Sequence, residues 1–267
     1  MRSVGSTISE PSAEYTELNG VKLDRRTEAD VVRSIITRSQ AGEGGWVVTA
    51  NVDICRQLGR NAQARALVEG ATLVVADGMP LVWASRLMGQ PVAERVAGSA
   101  LIFSLSEAAA AAGRSIYIIG GAPGTAEAVS AADRLSEMYP GLKVAGLDSP
   151  PFGFEHSEAE SSGIRDRLRQ AAPDIVYVGL GFPKQEKLTA SLAPALPTAW
   201  FIGCGAAIGF AGGTTDRAPA WMRRSGLEWV HRLLREPRRL FRRYLIHDLP
   251  FAALLLLSAC VIRVTGK

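Results

Sequence analysis

The sequence of 267 residues has few of the residues that mark metal-binding or disulfide-linked proteins. Its three cysteines, Cys55, Cys204 and Cys260, are far apart, and they form neither a zinc-binding spacing nor an even-numbered disulfide framework. This pattern favours a reducing compartment. The three histidines form no cluster either, so the sequence predicts no bound metal.

Two common nucleotide-binding motifs are also missing. Gly179-Leu180-Gly181 resembles the start of a dinucleotide fingerprint, but Pro183 and Gln185 follow without a third glycine, and no Walker lysine motif occurs. No two aspartates are separated by a single residue, so the sequence has no Asp-x-Asp pair to hold a catalytic cation. We therefore expect no cofactor, and a nicotinamide-dependent oxidoreductase is disfavoured.

Long apolar segments are absent as well. Residues 1–17 lack the apolar core of a signal peptide and predict a short mobile leader, which would leave the protein in the cytoplasm. Near the other end, Leu249–Ile262 is apolar but shorter than the roughly 20 residues that span a bilayer. Three readings stay open: a helix in the membrane interface, which we expect, a helix that crosses the membrane, or a buried core helix.

Between these ends, short apolar runs alternate with helical patterns, which predicts a doubly wound, mostly parallel, Rossmann-like α/β sheet of about six strands over residues 18–213. Two helices are expected at Thr27–Ser39, which opens with a capping-box pattern, and at Pro123–Tyr139, which opens with proline. The predicted strands are Trp46–Thr49, Thr72–Ala76, Ser115–Ile119, Lys143–Ala145, Ile175–Val178 and Ala199–Ile202.

Basic residues are concentrated in the remaining C-terminal appendage, residues 214–267. The stretch Asp216–Tyr244 carries nine arginines against three acids and precedes the apolar run. At helical spacing its arginines and its apolar residues fall on different sides, which is typical of a basic amphipathic segment at an anionic membrane surface. A solvated charged helix face is the alternative. Nucleic acid is a weaker partner, because no base-stacking aromatic platform accompanies the arginines.

Glycine-bearing turns follow three of the predicted strands. They contain Gly120-Gly121, Gly179 with Gly181, and Gly203-Cys204-Gly205. In doubly wound folds ligands bind at the carboxyl ends of the strands, so these turns predict close approach of a nucleotide and its phosphates to main-chain N–H groups. Each turn taken alone could also be a tight strand-to-helix connection.

Asp77 is the carboxylate that we single out. It ends a predicted strand and is followed by Gly-Met-Pro, which makes it a candidate general base; the alternative is an N-cap for a helix that starts at Met79. Asp53 and Asp174 are expected to be a helix cap and a strand-entry residue.

Eight short strings occur in a fixed order from about residue 18 to 245. They are Thr49-x-Asn51-x-Asp53, Ala76-Asp77-Gly78-Met79-Pro80, Arg95-Val96-x-Gly98, Gly120-Gly121-x-Pro123-Gly124, Gly179-x-Gly181-x-Pro183-Lys184-Gln185-Glu186, Arg217-Ala218-Pro219-x-Trp221-Met222, Gly226-Leu227-Glu228-Trp229 and Glu236-Pro237-x-Arg239. In these strings the sequence resembles the WecG/TagA/CpsF glycosyltransferases, family 26.

The resemblance implies an inverting transfer of a sugar from a nucleotide diphosphate donor, expected to be a UDP-sugar, to a polyprenyl-diphosphate-linked saccharide. Because no Asp-x-Asp pair occurs, we expect this transfer to be metal-independent, with arginines compensating the charge of the leaving group. Such enzymes work peripherally at the cytoplasmic membrane face in cell-wall or exopolysaccharide assembly, and an oligomer is compatible with the sequence. The resemblance makes Asp77 the general base. Arg232, Arg239 and Arg242 match arginines that close over the active site, and Thr49, Asn51, Arg95 and Gln185 match donor-sugar and pocket residues.

One position departs from the family pattern. Many members read Phe-Asp-Phe after the sixth strand, whereas this chain has Ile208-Gly209-Phe210 and lacks that acid. Mannosaminyl specificity is therefore not carried over, and the donor sugar could be a neutral hexose or a uronic acid. The alternative function is a catalytically silent, membrane-associated partner that binds nucleotide sugar or lipid in a polysaccharide assembly complex.

Overall fold

The computed structural model describes residues 15–265, without the side chains of Ala220 and Arg224. The strands are β1 (Tyr15–Leu18), β2 (Val21–Asp24), β3 (Gly45–Ala50), β4 (Leu73–Ala76), β5 (Ser115–Gly120), β6 (Lys143–Asp148), β7 (Ile175–Gly179) and β8 (Trp200–Gly203). The helices are α1 (Glu28–Gln40), α2 (Val52–Leu58), α3 (Ala62–Glu69), α4 (Met79–Leu87), α5 (Gly98–Ala111), α6 (Glu127–Met138), α7 (Glu158–Ala171), α8 (Lys184–Leu192), α9 (Ala207–Gly212), α10 (Ala220–Arg224), α11 (Glu228–Arg235), α12 (Pro237–Phe241) and α13 (Leu249–Thr265).

Strands β3 to β8 form one six-stranded sheet in the order β4-β3-β8-β7-β5-β6, and every neighbouring pair is parallel. The predicted α/β class and the six predicted strands are confirmed. The largest difference in bounds is at β6, which continues to Asp148 because its far end still pairs with β5. The central strands are apolar throughout because helices cover both faces of the sheet.

The strand order places a topological switch between β5 and β7. The chain leaves β5 toward β6 at one edge of the sheet, whereas it leaves β7 toward β8 in the opposite direction. Helices α6 and α8, which follow these two strands, pack in different apolar clusters: Ala131 of α6 lies in one, and Leu188 of α8 lies in another. Such a divergence opens a crevice at the carboxyl ends of the two strands, where ligands bind in doubly wound folds.

An antiparallel hairpin of β1 and β2 precedes the sheet and was not predicted. Its turn is Asn19-Gly20, and both residues have positive φ, +51° and +74°, as a two-residue hairpin requires. The hairpin begins at Tyr15, inside the segment that the sequence assigned to a leader. The rest of that predicted leader, residues 1–14, lies outside the described residues.

The two helix predictions had different outcomes. Thr27 caps α1 through the complete capping box with Asp30, as predicted. The predicted start of α6 at Pro123 is wrong, because the helix begins at Glu127. Gly124 lies in between with φ +75°, a left-handed conformation that no α-helix contains.

The basic stretch of the appendage is divided among the helices α10, α11 and α12. Helix α11 stops at Arg235, and Glu236 leaves the helical region with φ −129° and ψ 57° before Pro237 starts α12. A proline disfavours helical conformation in the residue before it, which explains the break. From Pro237 the chain stays helical to Thr265, through a π-helical segment at Arg242–Asp248.

This 29-residue helix is, by length and composition alone, long and apolar enough to cross a membrane. Only 22% of its most apolar window is buried, so the reading as a core helix does not fit. One side of α13 nevertheless packs on the body, where Leu255 and Ala259 join the cluster that contains Leu81 and Val82 of α4.

Four charged side chains connect the π-helical segment that precedes α13 to α2. Asp53 and Asp248, both less than a tenth exposed, alternate with Arg56 and Arg243. The distances are 3.2 Å from Arg243 to Asp53 and 3.4 Å from Arg56 to Asp248. Because isolated buried charges are costly, the pairing of both acids with arginines stabilises this contact between α2 and the long helix.

Candidate active site

A cleft of about 490 Å³ opens at the carboxyl ends of β5, β7 and β8. Its walls come from the turns after these strands, from the loop after β6, and from the side of α11 that faces the sheet. It lies at the switch between β5 and β7, where the strand order predicts a ligand crevice.

The glycines that end β5 and β7 allow the strands to close the floor of this cleft. Gly120 has φ +140°, and a Cβ atom there would lie 2.7 Å from Cδ1 of Ile208 and 2.8 Å from the carbonyl oxygen of Gly179. A Cβ on Gly179 would in turn lie 2.7 Å from the carbonyl oxygen of Gly205. Side chains are excluded at both positions. Of the four predicted glycines, Gly121 and Gly179 line the cleft, and Gly120 and Gly181 shape the turns beside it.

Gln185 joins two of the turns. Its Oε1 atom accepts hydrogen bonds from the N–H groups of Gly181 and Gly205, both at 3.2 Å. The side chain is 3% exposed and lies beneath the turns, not in the cleft lining. Gln185, which was predicted as a pocket residue, therefore positions these two turns from beneath them.

Thr49 and Asn51 also make internal contacts. The Thr49 hydroxyl donates to the carbonyl oxygen of Gly203 at 2.7 Å and is buried between β3 and β8. The Asn51 side chain caps α2 by accepting from the N–H of Ile54 at 3.0 Å. Asn51 is partly exposed and lies next to Gly78, shortly after the end of β4.

Asp77 follows β4 directly, and its own N–H donates to the carbonyl oxygen of Ala50 at 2.7 Å. The N-cap of α4 is Gly78, which makes no side-chain cap, so the alternative reading of Asp77 as the cap of that helix is wrong. Its carboxylate instead accepts from the N–H of Gly98 at 3.4 Å, at the start of the 14-residue helix α5. The helix N-terminus favours the charged carboxylate there.

Two further side chains set the electrostatics of Asp77. Nη1 of Arg95 lies 4.0 Å from Oδ1 of Asp77 and 2.9 Å from Oε2 of Glu228. Burial is the main cause that raises the pKa of Asp77, and the Glu228 charge also raises it. Arg95, the Gly98 N–H and Arg232 lower the pKa, and the value that results is about 6. The result is a carboxylate with one quarter of its side chain exposed and a pKa suited to proton transfer near neutral pH.

The arginines of α11 and α12 face the sheet from the appendage. Arg232 stacks over the ring of Phe210 at 5.9 Å, lines the cleft, and also lowers the pKa of Asp77, so it connects the cleft to the carboxylate. Arg239 lines the cleft as predicted, whereas Arg242 is exposed at the start of the π-helical segment and is not in the lining.

Sequence reasoning missed several residues of the site. Arg235 lines the cleft beside Arg232, and Glu228 holds Arg95 from the appendage. Phe152, 88% exposed, and Glu127 line the opposite wall. The three-residue spacing of Arg232 and Arg235 on one amphipathic helix was a signal for Arg235, and Glu228 belongs to the string Gly226-Leu227-Glu228-Trp229. Phe152 and Glu127 carry no local signal.

Comparison with known proteins places this geometry in a family. The model of the glycosyl transferase WecG/TagA/CpsF family matches residues 16–263. An N-acetylglucosaminyldiphosphoundecaprenol N-acetyl-beta-D-mannosaminyltransferase of Bacillus spizizenii is 31% identical over 74% of this chain and 74% of its own length. A protein of the same name from Staphylococcus aureus is 28% identical over 85% of this chain and 87% of its own length. The chain therefore belongs to the WecG/TagA/CpsF glycosyltransferase family and is a glycosyltransferase.

Proposed function

We propose that the protein transfers a sugar, with inversion, from a nucleotide diphosphate donor to a polyprenyl-diphosphate-linked saccharide in cell-wall or exopolysaccharide biosynthesis. The names of the relatives support the acceptor class, because both describe a sugar linked to diphosphoundecaprenol. A UDP-sugar is the expected donor.

The observation that carries the proposal is that Arg232 lines the cleft and also acts on the carboxylate of Asp77, which itself lies outside the cleft lining. Direct displacement at the sugar carbon needs a base that takes the proton of the acceptor hydroxyl, and Asp77, with a pKa of about 6, is deprotonated at neutral pH. The leaving nucleotide diphosphate gains negative charge as the glycosidic bond breaks. Arg232, Arg235 and Arg239 line the cleft where that charge would develop.

Arginine side chains replace a metal in this mechanism. Among residues 15–265 no group of three or more His, Cys, Asp or Glu side chains is placed to hold a cation. A guanidinium offers a planar fork of N–H donors that matches phosphate oxygens, so Arg232 would supply both charge and geometry. Arg235 and Arg239 line the same cleft while paired with Asp216 and Glu236. The glycines that line the cleft, Gly179, Gly205 and Gly209, would let the diphosphate approach the main chain closely.

We also propose peripheral binding at the cytoplasmic face of the membrane, and the exposed apolar side of the appendage supports the membrane contact. Its helix α13 exposes Leu254, Leu257, Val261 and Val264 on one side, while the opposite side packs on α4. The neighbouring helix α4 exposes Trp83, 40%, and Leu87, 41%. Crossing the membrane would require α13 to leave α4, so we propose that these helices lie in the interface.

A donor panel tests the proposal. Purified protein is incubated with UDP-N-acetylmannosamine, neutral UDP-hexoses and UDP-uronic acids, together with a synthetic lipid-diphosphate sugar acceptor. Glycosylated lipid from at least one donor, with inverted anomeric configuration, supports it. Binding of a donor without transfer or hydrolysis would favour the alternative, a catalytically silent partner in a polysaccharide assembly complex.

A further inference from the structure

The three acidic side chains that line the cleft differ in their partners. Asp216 accepts from Arg235 at 2.6 Å, and Glu236 accepts from Arg239 at 2.8 Å. Glu127 has no cationic partner within the part of the chain that the structure describes. Its carboxylate is therefore the acid of the cleft whose negative charge is not neutralised by a neighbouring side chain.

Glu127 is nonetheless held in a defined position. Its Oε2 atom accepts from the N–H of Ala122 at 2.7 Å, and its Oε1 atom accepts from the hydroxyl of Thr214 at 3.3 Å. A Cβ atom on Gly121, which has φ +84°, would lie 3.1 Å from Cβ of Glu127, so the carboxylate packs against the turn that ends β5. Each carboxylate oxygen retains a second lone pair for a ligand.

The charge of this wall limits what it can bind. A diphosphate would be repelled by an unneutralised carboxylate, and it has three arginines on the other wall. The group that faces Glu127 must therefore be a neutral part of the ligand that donates hydrogen bonds. A vicinal diol fits, because a carboxylate accepts from both hydroxyls, as it does for the ribose of bound dinucleotides.

We propose that Glu127 binds the ribose hydroxyls of the donor nucleotide and so places the nucleoside along the turn after β5, with the diphosphate toward Arg232 and Arg239. This assignment rests on the proposed function, since it takes the cleft to hold a nucleotide diphosphate. It makes Glu127 a determinant of donor class, selecting ribonucleotides over 2′-deoxyribonucleotides.

The turn after β8 offers no competing carboxylate. Gly209 lines the cleft without a side chain, and a Cβ atom there would meet the Thr215 hydroxyl at 3.0 Å. The neighbouring Thr214 hydroxyl lies 3.3 Å from Oε1 of Glu127 and 3.2 Å from the carbonyl oxygen of Gly209. The acceptor for a diol therefore comes from the facing helix α6.

Titration calorimetry with UDP, GDP and their 2′-deoxy counterparts tests the assignment in the wild-type protein and in Glu127→Gln. Glutamine keeps an oxygen for the Ala122 N–H but removes the charge. The matched control is Glu137→Gln, an exposed acid at the far end of the same helix. Melting temperatures check that both variants are folded.

We expect the wild type and Glu137→Gln to bind the preferred ribonucleotide about tenfold or more tightly than its 2′-deoxy form, the usual scale of a hydrogen bond to a charged group. Glu127→Gln should lose about tenfold in affinity for the ribonucleotide and discriminate less than about threefold. Undiminished discrimination in Glu127→Gln would overturn the assignment while leaving a nucleotide site in place. Failure of the wild type to bind any of the four nucleotides would overturn the proposed function itself and, with it, this inference.

Discussion

Nη1 of Arg95 lies 2.9 Å from Oε2 of Glu228 and 4.0 Å from Oδ1 of Asp77. This arginine thus connects the candidate base, at the end of β4, to the first residue of α11 in the appendage. The appendage therefore has two roles at the site: it supplies arginines to the cleft, and through Glu228 it is part of the electrostatic environment of Asp77. The contact gives Glu228 a positioning role that can be measured through the pKa of Asp77.

We expect Glu228→Gln and Arg95→Ala to move the acidic limb of the pH profile in opposite directions. Removing the Glu228 charge lowers the pKa of Asp77, because that charge raises it and because Arg95 is then free to turn toward Asp77. Removing Arg95 raises the pKa. Profiles of kcat/KM against pH measure both shifts. Shifts of the same sign in the two variants would contradict this arrangement.

For the wild type we expect kcat/KM to fall by about tenfold per pH unit below pH 6, because a general base must be deprotonated and the pKa of Asp77 is raised to about 6. Between pH 7 and 8 the rate should be nearly flat. Circular dichroism at each pH separates this effect from acid unfolding. An acidic limb with its midpoint near pH 4 would mean that the raised pKa of Asp77 does not govern the reaction.

Asp77→Asn should also stabilise the protein at neutral pH. The folded-state pKa of Asp77, about 6, lies above its ordinary value of 3.8, so the folded protein loses stability as pH rises from about 4 to about 6. Asparagine does not ionise, so the variant does not lose this stability, and Arg95 keeps Glu228 as its partner. We expect a gain of about 1–2 kcal/mol in the free energy of unfolding at pH 8, since a quarter of the carboxylate side chain stays exposed.

Urea unfolding of both proteins at pH 4 and pH 8 measures this difference. The gain should be much smaller at pH 4, where Asp77 is protonated in the folded state. An equal gain at both pH values would show that it comes from packing and not from the charge.

Divalent cations should not be needed for transfer, because arginines provide the charge that a metal would supply to the leaving diphosphate. We expect full activity after exhaustive treatment with EDTA. The matched test of the arginines is Arg232→Ala, which should lower kcat by about a hundredfold or more, as for other losses of a charge-stabilising donor. Loss of activity with EDTA that magnesium or manganese restores would contradict the arginine mechanism.

The membrane proposal can be tested with the native cysteines. Cys55 and Cys204 are buried, and burial raises the pKa of both thiols to about 12, so neither reacts readily with alkylating reagents. Cys260 is exposed on α13. We expect anionic vesicles to slow its labelling by a water-soluble maleimide by about tenfold or more, and neutral vesicles to slow it less.

Leu257→Glu is the matched variant, since it places a charge on the exposed apolar side of α13 without touching the buried Leu255 and Ala259. Its Cys260 should label at the same rate with and without vesicles. If anionic vesicles leave the wild-type labelling rate unchanged, α13 does not bind the membrane surface.

Much of the fold could be predicted because its signals are local. The six parallel strands appear as apolar runs, and the switch between β5 and β7 brings Gly121 and Gly179 to the predicted crevice. The hairpin at Asn19-Gly20 also has a local signal, which was overlooked.

The site was harder to predict, because its contacts join distant parts of the chain. Arg95 and Glu228 are 133 residues apart, and no pattern around either residue points to the other. Gln185 is recognisable as a motif residue, but only the structure places it beneath two turns. The break at Glu236 separates Arg232 on α11 from Arg239 on α12; both line the cleft, whereas Arg242 does not.

The most direct test of the account is single-turnover transfer by Asp77→Asn, with the active donor and the lipid-diphosphate acceptor, alongside calorimetric binding of the nucleotide. We expect the variant to bind the nucleotide with unchanged affinity and to transfer sugar about a hundredfold or more slowly than the wild type, the usual scale for loss of a general base. Transfer at the wild-type rate by a variant that is folded and binds the nucleotide would contradict the central role of Asp77.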